Sequence, residues 1–105
     1  MPKNVVNFDL TAPAALKIIR HLAQESELVF LLTHVKKRMK QRHITIGQIL
    51  RCLLKGEITE GPYREISTGN WRMRLELKES GQLVTVVAEL YTAENGEKII
   101  IITTF

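Results

Sequence analysis

Residues 71–91 read Trp71-Arg72-Met73-Arg74-Leu75-Glu76-Leu77-Lys78-Glu79-Ser80-Gly81-Gln82-Leu83-Val84-Thr85-Val86-Val87-Ala88-Glu89-Leu90-Tyr91. Trp71, Met73, Leu75 and Leu77 alternate with Arg72, Arg74, Glu76 and Lys78, the period of two that a half-buried strand requires. From Leu83 to Tyr91, Val84, Val86, Ala88 and Leu90 share one phase. A two- or four-residue loop centred on Ser80-Gly81 pairs Leu77 with Val84, Leu75 with Val86, Arg72 with Glu89 and Arg74 with Val87. A three-residue loop would turn one apolar set to the wrong face, so an even loop is expected.

Working outward, Asn95-Gly96 marks a second hairpin leading into Lys98–Thr104. That run is continuously apolar, which predicts a central strand covered on both faces. Residues 57–69 are poorly patterned, with an edge strand expected near Tyr63–Ile66. The expected sheet is antiparallel with three to four strands. One face, carrying Met73, Leu75, Val84, Val86, Ile99 and Ile101, should receive helices. The other mixes Arg72, Arg74, Glu89, Tyr91, Ile100 and Ile102 and is apolar enough to dock a partner, a second subunit or a nucleic acid.

Upstream the period changes to that of helices. The first runs from about Ala12 to Gln24, capped by Thr11 or Asp9, with Pro13 in its first turn and Ala15, Ile18, Ile19 and Leu22 on its apolar face. Leu28–Leu32 is a short strand or an apolar entry to a second helix, about Thr33–Arg42. There Val35 and Met39 point to the core and Lys36, Lys37 and Lys40 to the far side. Arg38 and Arg42 fall close to the apolar stripe, with His34 at its margin. A third helix opens on the capping box Thr45-Ile46-Gly47-Gln48 and stops at Gly56. Ile46, Ile49, Leu50, Leu53 and Leu54 form its apolar face, and Cys52, off that face, reads as structural. The fold class is α+β, a single domain over 1–105 with N-terminal helices packed on one face of the sheet.

Charge singles out the second and third helices. Residues 28–56 hold seven Lys or Arg and no acid, within a chain of net charge +4. Such a block suits an anionic partner, or else a solvated lysine face. One cysteine excludes an intramolecular disulfide. No apolar run has signal-peptide or membrane-spanning length, so a cytoplasmic protein with no membrane partner is expected.

There is no glycine-rich phosphate loop, nucleophile elbow or zinc-ligand spacing. Asp9 is the sole aspartate and the basic block has no carboxylate, so a two-metal hydrolase has nowhere obvious to cluster its acids; no metal or cofactor is expected. What remains is a histidine and several arginines on a basic surface. Metal-free RNA cleavage needs a proton carrier and cations on the phosphoryl oxygens, because the 2′-OH is the nucleophile. Histidine titrates in the right range and arginine grips phosphate bidentately. The same groups could equally bind a phosphate without cleaving it. Arg72 has a cross-strand partner in Glu89 and reads as a structural ion pair; Arg74 has none and is the better ligand.

At Thr33-His34-Val35-Lys36-Lys37-Arg38-Met39-Lys40-Gln41-Arg42-His43-Ile44-Thr45 the chain resembles a small bacterial domain family of unassigned function. Its members carry a His-x3-Arg-Met-x2-Arg-x-Ile-Thr/Ser helix. A following helix ends in Leu-x-Gly-Glu-Ile, here Leu54-Lys55-Gly56-Glu57-Ile58, and a last hydrophobic strand ends near Ile-Thr, here Ile102-Thr103. The match covers about residues 30–105 and leaves 1–29 as a helical extension. In element order that family is similar to the RelE/ParE-like toxins, including the MqsR and BrnT types. The resemblance implies a metal-independent endoribonuclease of the mRNA interferase type. It marks His34, Arg38 and Arg42 as catalytic positions; apart from the resemblance, Lys36, Lys37 and Lys40 of the basic block and Arg74 of the sheet are the candidate nucleic-acid contacts. RNA, free or ribosome-associated, and a protein antitoxin are the implied partners. The alternatives are a non-catalytic nucleic-acid- or protein-binding module, and an interaction domain forming a homodimer through Tyr91, Ile100 and Ile102.

Overall fold

The computed structural model describes residues 10–94 and 96–105. Asp9 and Asn95, offered above as a cap and as a turn residue, lie outside them. Helix α1 (Ala12–Ala23) leads through a 3-10 turn (Ser26–Leu28) into β1 (Val29–Leu31), α2 (Thr33–Arg42) and α3 (Ile46–Lys55). Four longer strands follow: β2 (Glu57–Arg64), β3 (Trp71–Glu79), β4 (Gln82–Ala93) and β5 (Gly96–Thr104).

The sheet order is β1-β5-β4-β3-β2. The sheet therefore has five strands, not three or four. It is mixed rather than purely antiparallel, because β1 pairs parallel with β5, Val29 to Ile99 and Leu31 to Ile101. Three residues give no alternation to read, and parallel partners are always distant in sequence. The edge strand placed near Tyr63–Ile66 lies earlier, at 57–64, with irregular register against β3; Ile66 is exposed beyond it.

The central hairpin takes the expected register: Leu77 opposite Val84, Leu75 opposite Val86, Arg72 opposite Glu89 and Arg74 opposite Val87. Glu79 pairs with Gln82, leaving the two-residue turn Ser80-Gly81 with φ of 52° and 76°. Both residues are left-handed, the twist that matches antiparallel strands. Met73, Leu75, Val84, Val86, Ile99 and Ile101 are fully buried under the helices, with Ile19, Ile49 and Leu53 from above. Cys52 is also fully buried, facing Val84 O at 3.7 Å, so it belongs to the apolar face from which its phase excluded it. Burial, then the nearby Glu76 charge, pushes its thiol up to about 12, which leaves it un-ionised and inert. Strand β5 is central as expected, but only its helix side is covered: Ile100 and Ile102 remain half-buried.

Helix starts follow the capping residues. Thr11 Oγ1 accepts from Ala14 N at 3.3 Å, and Thr45 with Gln48 forms the reciprocal box, at 2.8 and 3.1 Å. Helix α2 ends at His43, left-handed at φ 56°, where Ile44 N–H reaches back to Met39 O at 2.9 Å. His43 is thereby used as a helix stop.

Glu89 is buried on the sheet face opposite α1 and α3. It accepts from Arg72 Nε (2.7 Å), Asn70 Nδ2 (2.9 Å) and Thr68 Oγ1 (3.1 Å), which pins the 65–70 loop to the sheet. Burial alone would push its carboxyl upward. The three hydrogen bonds and the Arg72 charge outweigh burial and hold it below the ordinary carboxylate range. A carboxylate lowered on folding stabilises the protein above its unfolded pKa, about 4.3 for glutamate, and loses that contribution as pH falls. The melting temperature of Glu89→Gln should thus lie below that of the parent at pH 7, and the gap should close below about pH 4. A gap constant from pH 7 to 3 would show that the Glu89 charge contributes nothing.

Among the described residues no helix is long and apolar enough to cross a membrane.

Candidate active site

The site begins with an irregularity in β5. Val87 pairs with Thr103 and Ala88 with Ile101, so Ile102 is an extra residue without a partner on β4: a β-bulge. The bulge frees the Ile102 carbonyl, which accepts from His34 Nε2 at 2.7 Å. It also reverses the strand's alternation. Thr104 now turns into the core, fully buried, with its hydroxyl donating to Thr85 O at 2.8 Å. Phe105 turns to the outer face, and its backbone N–H donates to Thr85 O at 3.0 Å.

Helix α2 crosses this end of β5. Residues i, i+4 and i+8 lie within about 80° of one another at 3.6 residues per turn, so His34, Arg38 and Arg42 share a face. The Arg38 guanidinium lies 5.7 Å from the centroid of the Phe105 ring, and that of Arg74, from β3, lies 5.6 Å from it. Arg42 lines a shallow cavity of about 320 Å³ with Ile44, Gln82, Leu83, Thr85 and Phe105. One ring thus gathers two arginines from two elements, an arrangement cation–π attraction favours, and Arg42 borders the same ring across the cavity.

These arginines lack acidic partners. Among the described residues the ion pairs are Arg51–Glu79, Arg72–Glu65 and Arg72–Glu89. Glu60 stands opposite Arg74 in the β2–β3 register without bonding to it. The Arg74 Nε–H is buried with no acceptor, and a buried donor left unpaired is costly. An oxyanion bound between the arginines would supply that acceptor and balance their charge.

His34 is held differently. A carbonyl only accepts, so Nε2 must carry the proton, and Nδ1 is the atom left to take or release one. Fixing one ring nitrogen to backbone both orients the imidazole and selects its tautomer.

Of the seven positions marked in the sequence, His34, Arg38, Arg42 and Arg74 come together. Lys37 lies about 60° from His34 around α2, on the flank of this surface. Lys36 and Lys40 lie on the other side of the helix, lining an apolar groove of about 430 Å³ with Leu31, Met39, Ile44 and Ile46. Two participants escaped the sequence reading, Phe105 and the Ile102 carbonyl. Both depend on the bulge, and a run of four isoleucines carries no mark of where parity reverses. No group of three or more His, Cys, Asp or Glu among the described residues could hold a metal ion.

A family model described as a domain of unknown function (DUF4258) matches residues 31–105. No curated protein and no solved structure matches the chain.

Proposed function

Because the chain belongs to the DUF4258 family, whose description assigns no reaction, its function has to be read from its own side chains, and we propose a metal-independent endoribonuclease of the toxin type. The observation that carries this reading is the pairing of a tautomer-fixed histidine, His34 on the Ile102 carbonyl, with arginines that form no ion pair among the described residues. His34 Nδ1 takes or delivers the proton of the RNA 2′-OH or of the leaving 5′-oxygen. Arg38, Arg42 and Arg74 bind the phosphate and stabilise the charge that grows on its oxygens in the transition state. Phe105 holds Arg38 and Arg74 and is a positioning residue.

The likeness to RelE/ParE-type toxins belongs to the same proposal. Helices followed by antiparallel strands support it, and the parallel β1 is a departure from it. An antitoxin partner, an RNA substrate either free or on the ribosome, and a cytoplasmic site of action belong to the same proposal.

The direct test is incubation of purified protein with single-stranded RNA in a chelator, with and without ribosomes. Cleavage should persist without metal and leave 2′,3′-cyclic phosphate ends, since the nucleophile is the RNA's own hydroxyl. If no RNA is cut in either condition but RNA is bound, the same surface is a non-catalytic binding module.

Salt dependence separates the cations. On single strands each lost phosphate contact should flatten the log–log salt slope by about 0.7. Arg38→Gln and Lys37→Gln should each do so, whereas the double variant Lys36→Gln/Lys40→Gln should leave the slope unchanged. Equal effects from all four would show a diffuse field in place of a site.

A further inference from the structure

On the outer sheet face, beyond Ile102 from Phe105, lies a shallow cavity of about 250 Å³ lined by Phe30, Leu32, Tyr91, Lys98 and Ile100. Three strands build it: Phe30 of β1 pairs with Ile100 of β5, and Lys98 of β5 stands opposite Tyr91 of β4. Phe30 is 44% exposed and Tyr91 42%. The Lys98 ammonium sits 5.3 Å from the centroid of the Phe30 ring.

We propose that this cavity is a base-stacking site for single-stranded RNA, with Phe30 and Tyr91 as platforms and Lys98 on the adjoining phosphate. The proposal rests on the ribonuclease reading and extends it by giving the path of the strand. Continuity supports it. Ile100 and Ile102 are two residues apart on β5, about 7 Å, so RNA seated on the rings reaches the His34–Ile102 contact without leaving the face. Leu32, in the same cavity, immediately precedes α2. The chemistry fits as well, since exposed rings beside a cation accept any base by its π face and its phosphate by charge. Charge favours RNA over a second copy of the chain: at a net charge of +4 two copies repel each other while a polyanion is attracted.

The test uses a short oligoribonucleotide, 2′-O-methylated so that it cannot be cut, and measures its binding by fluorescence anisotropy. Phe30→Leu and Tyr91→Leu keep apolar bulk at exposed positions, so their melting temperatures should match the parent's. Each should bind about 5- to 150-fold more weakly, the range for loss of one base–aromatic stack. An oligomer with abasic positions should lose more affinity for the parent than for either variant, each of which keeps one ring. If both variants bind as tightly as the parent, the stacking site is wrong while the ribonuclease reading stands. A parent that neither binds nor cuts RNA removes both. A dimer dissociated by Tyr91→Leu, with RNA binding intact, assigns the patch to a second copy and overturns the proposal.

Discussion

Replacing His34 by alanine is expected to slow RNA cleavage by about 10²–10⁴-fold, the usual contribution of a positioned proton-transfer group, while leaving RNA affinity nearly unchanged. The split follows from the geometry. The arginines that hold phosphate are attached to other turns of α2 and to β3, and they stay in place when the imidazole is removed. The variant also loses the 2.7 Å hydrogen bond to Ile102 O, worth about 1 kcal/mol at an exposed site. That is a fall of roughly 4–8 °C in melting temperature for a domain of this size. His34→Gln separates the two roles, because its amide can donate to the same carbonyl but cannot carry a proton in turnover. It should recover much of the melting temperature and none of the rate. Cleavage restored in step with stability would reduce His34 to a structural tie. Arg38→Ala should differ from both, weakening binding and catalysis together.

The largest effect on stability is expected from Gly56→Ala. Gly56 is the joint between α3 and β2. Its N–H closes the last turn on Cys52 O at 2.8 Å, and its carbonyl accepts from Arg20 Nη2 at 2.7 Å. A Cβ there would stand 2.5 Å from Cys52 O and 2.8 Å from Glu76 O. Both are backbone atoms, so neither can rotate aside; α3 must withdraw from β3 or its last turn must open. A cost of about 3 kcal/mol or more, and a melting temperature lower by roughly 12 °C or more, follows for such overpacking. By contrast, Gly81→Ala meets open space and should cost about 1 kcal/mol through its left-handed φ alone. Equal losses for the two would show that the joint relaxes freely.

These contrasts mark what was legible in the residues. The β3–β4 register was, because two alternating runs joined through Ser80-Gly81 admit only even loops. The α3 start was, because Thr45 and Gln48 are both halves of one cap. Strand β1 was ambiguous: three apolar residues carry no period, and their partner is seventy residues away. Cys52 was misplaced because a helix packed against both the sheet and α1 is buried over a wider arc than its leucines alone define. At the site, helical phase set Arg38, Arg42 and His34 beside the apolar stripe of α2, and Val87 opposite Arg74 on β4 singled that arginine out, though the irregular β2 register that puts Glu60 across from it was not foreseen. Phe105 could not be found from the sequence, since alternation carried through Ile99-Ile100-Ile101-Ile102 points it to the opposite face.

The pairing of β1 with β5 ties residues 29–31 to 99–101, and this bears on how the protein is made. Chains emerge from the ribosome N-terminal residues first and fold by units as they appear. A nascent chain that has released α1, α2 and α3 holds His34, Arg38 and Arg42 but has neither the Ile102 carbonyl nor Phe105. Its imidazole is unanchored and its arginines are not gathered. On the proposed reaction, the site is incomplete until β5 and Phe105 have followed the helices out of the ribosome, so a chain stopped before them cannot assemble it. The interval between is the time available to any binding protein that would keep the finished surface covered.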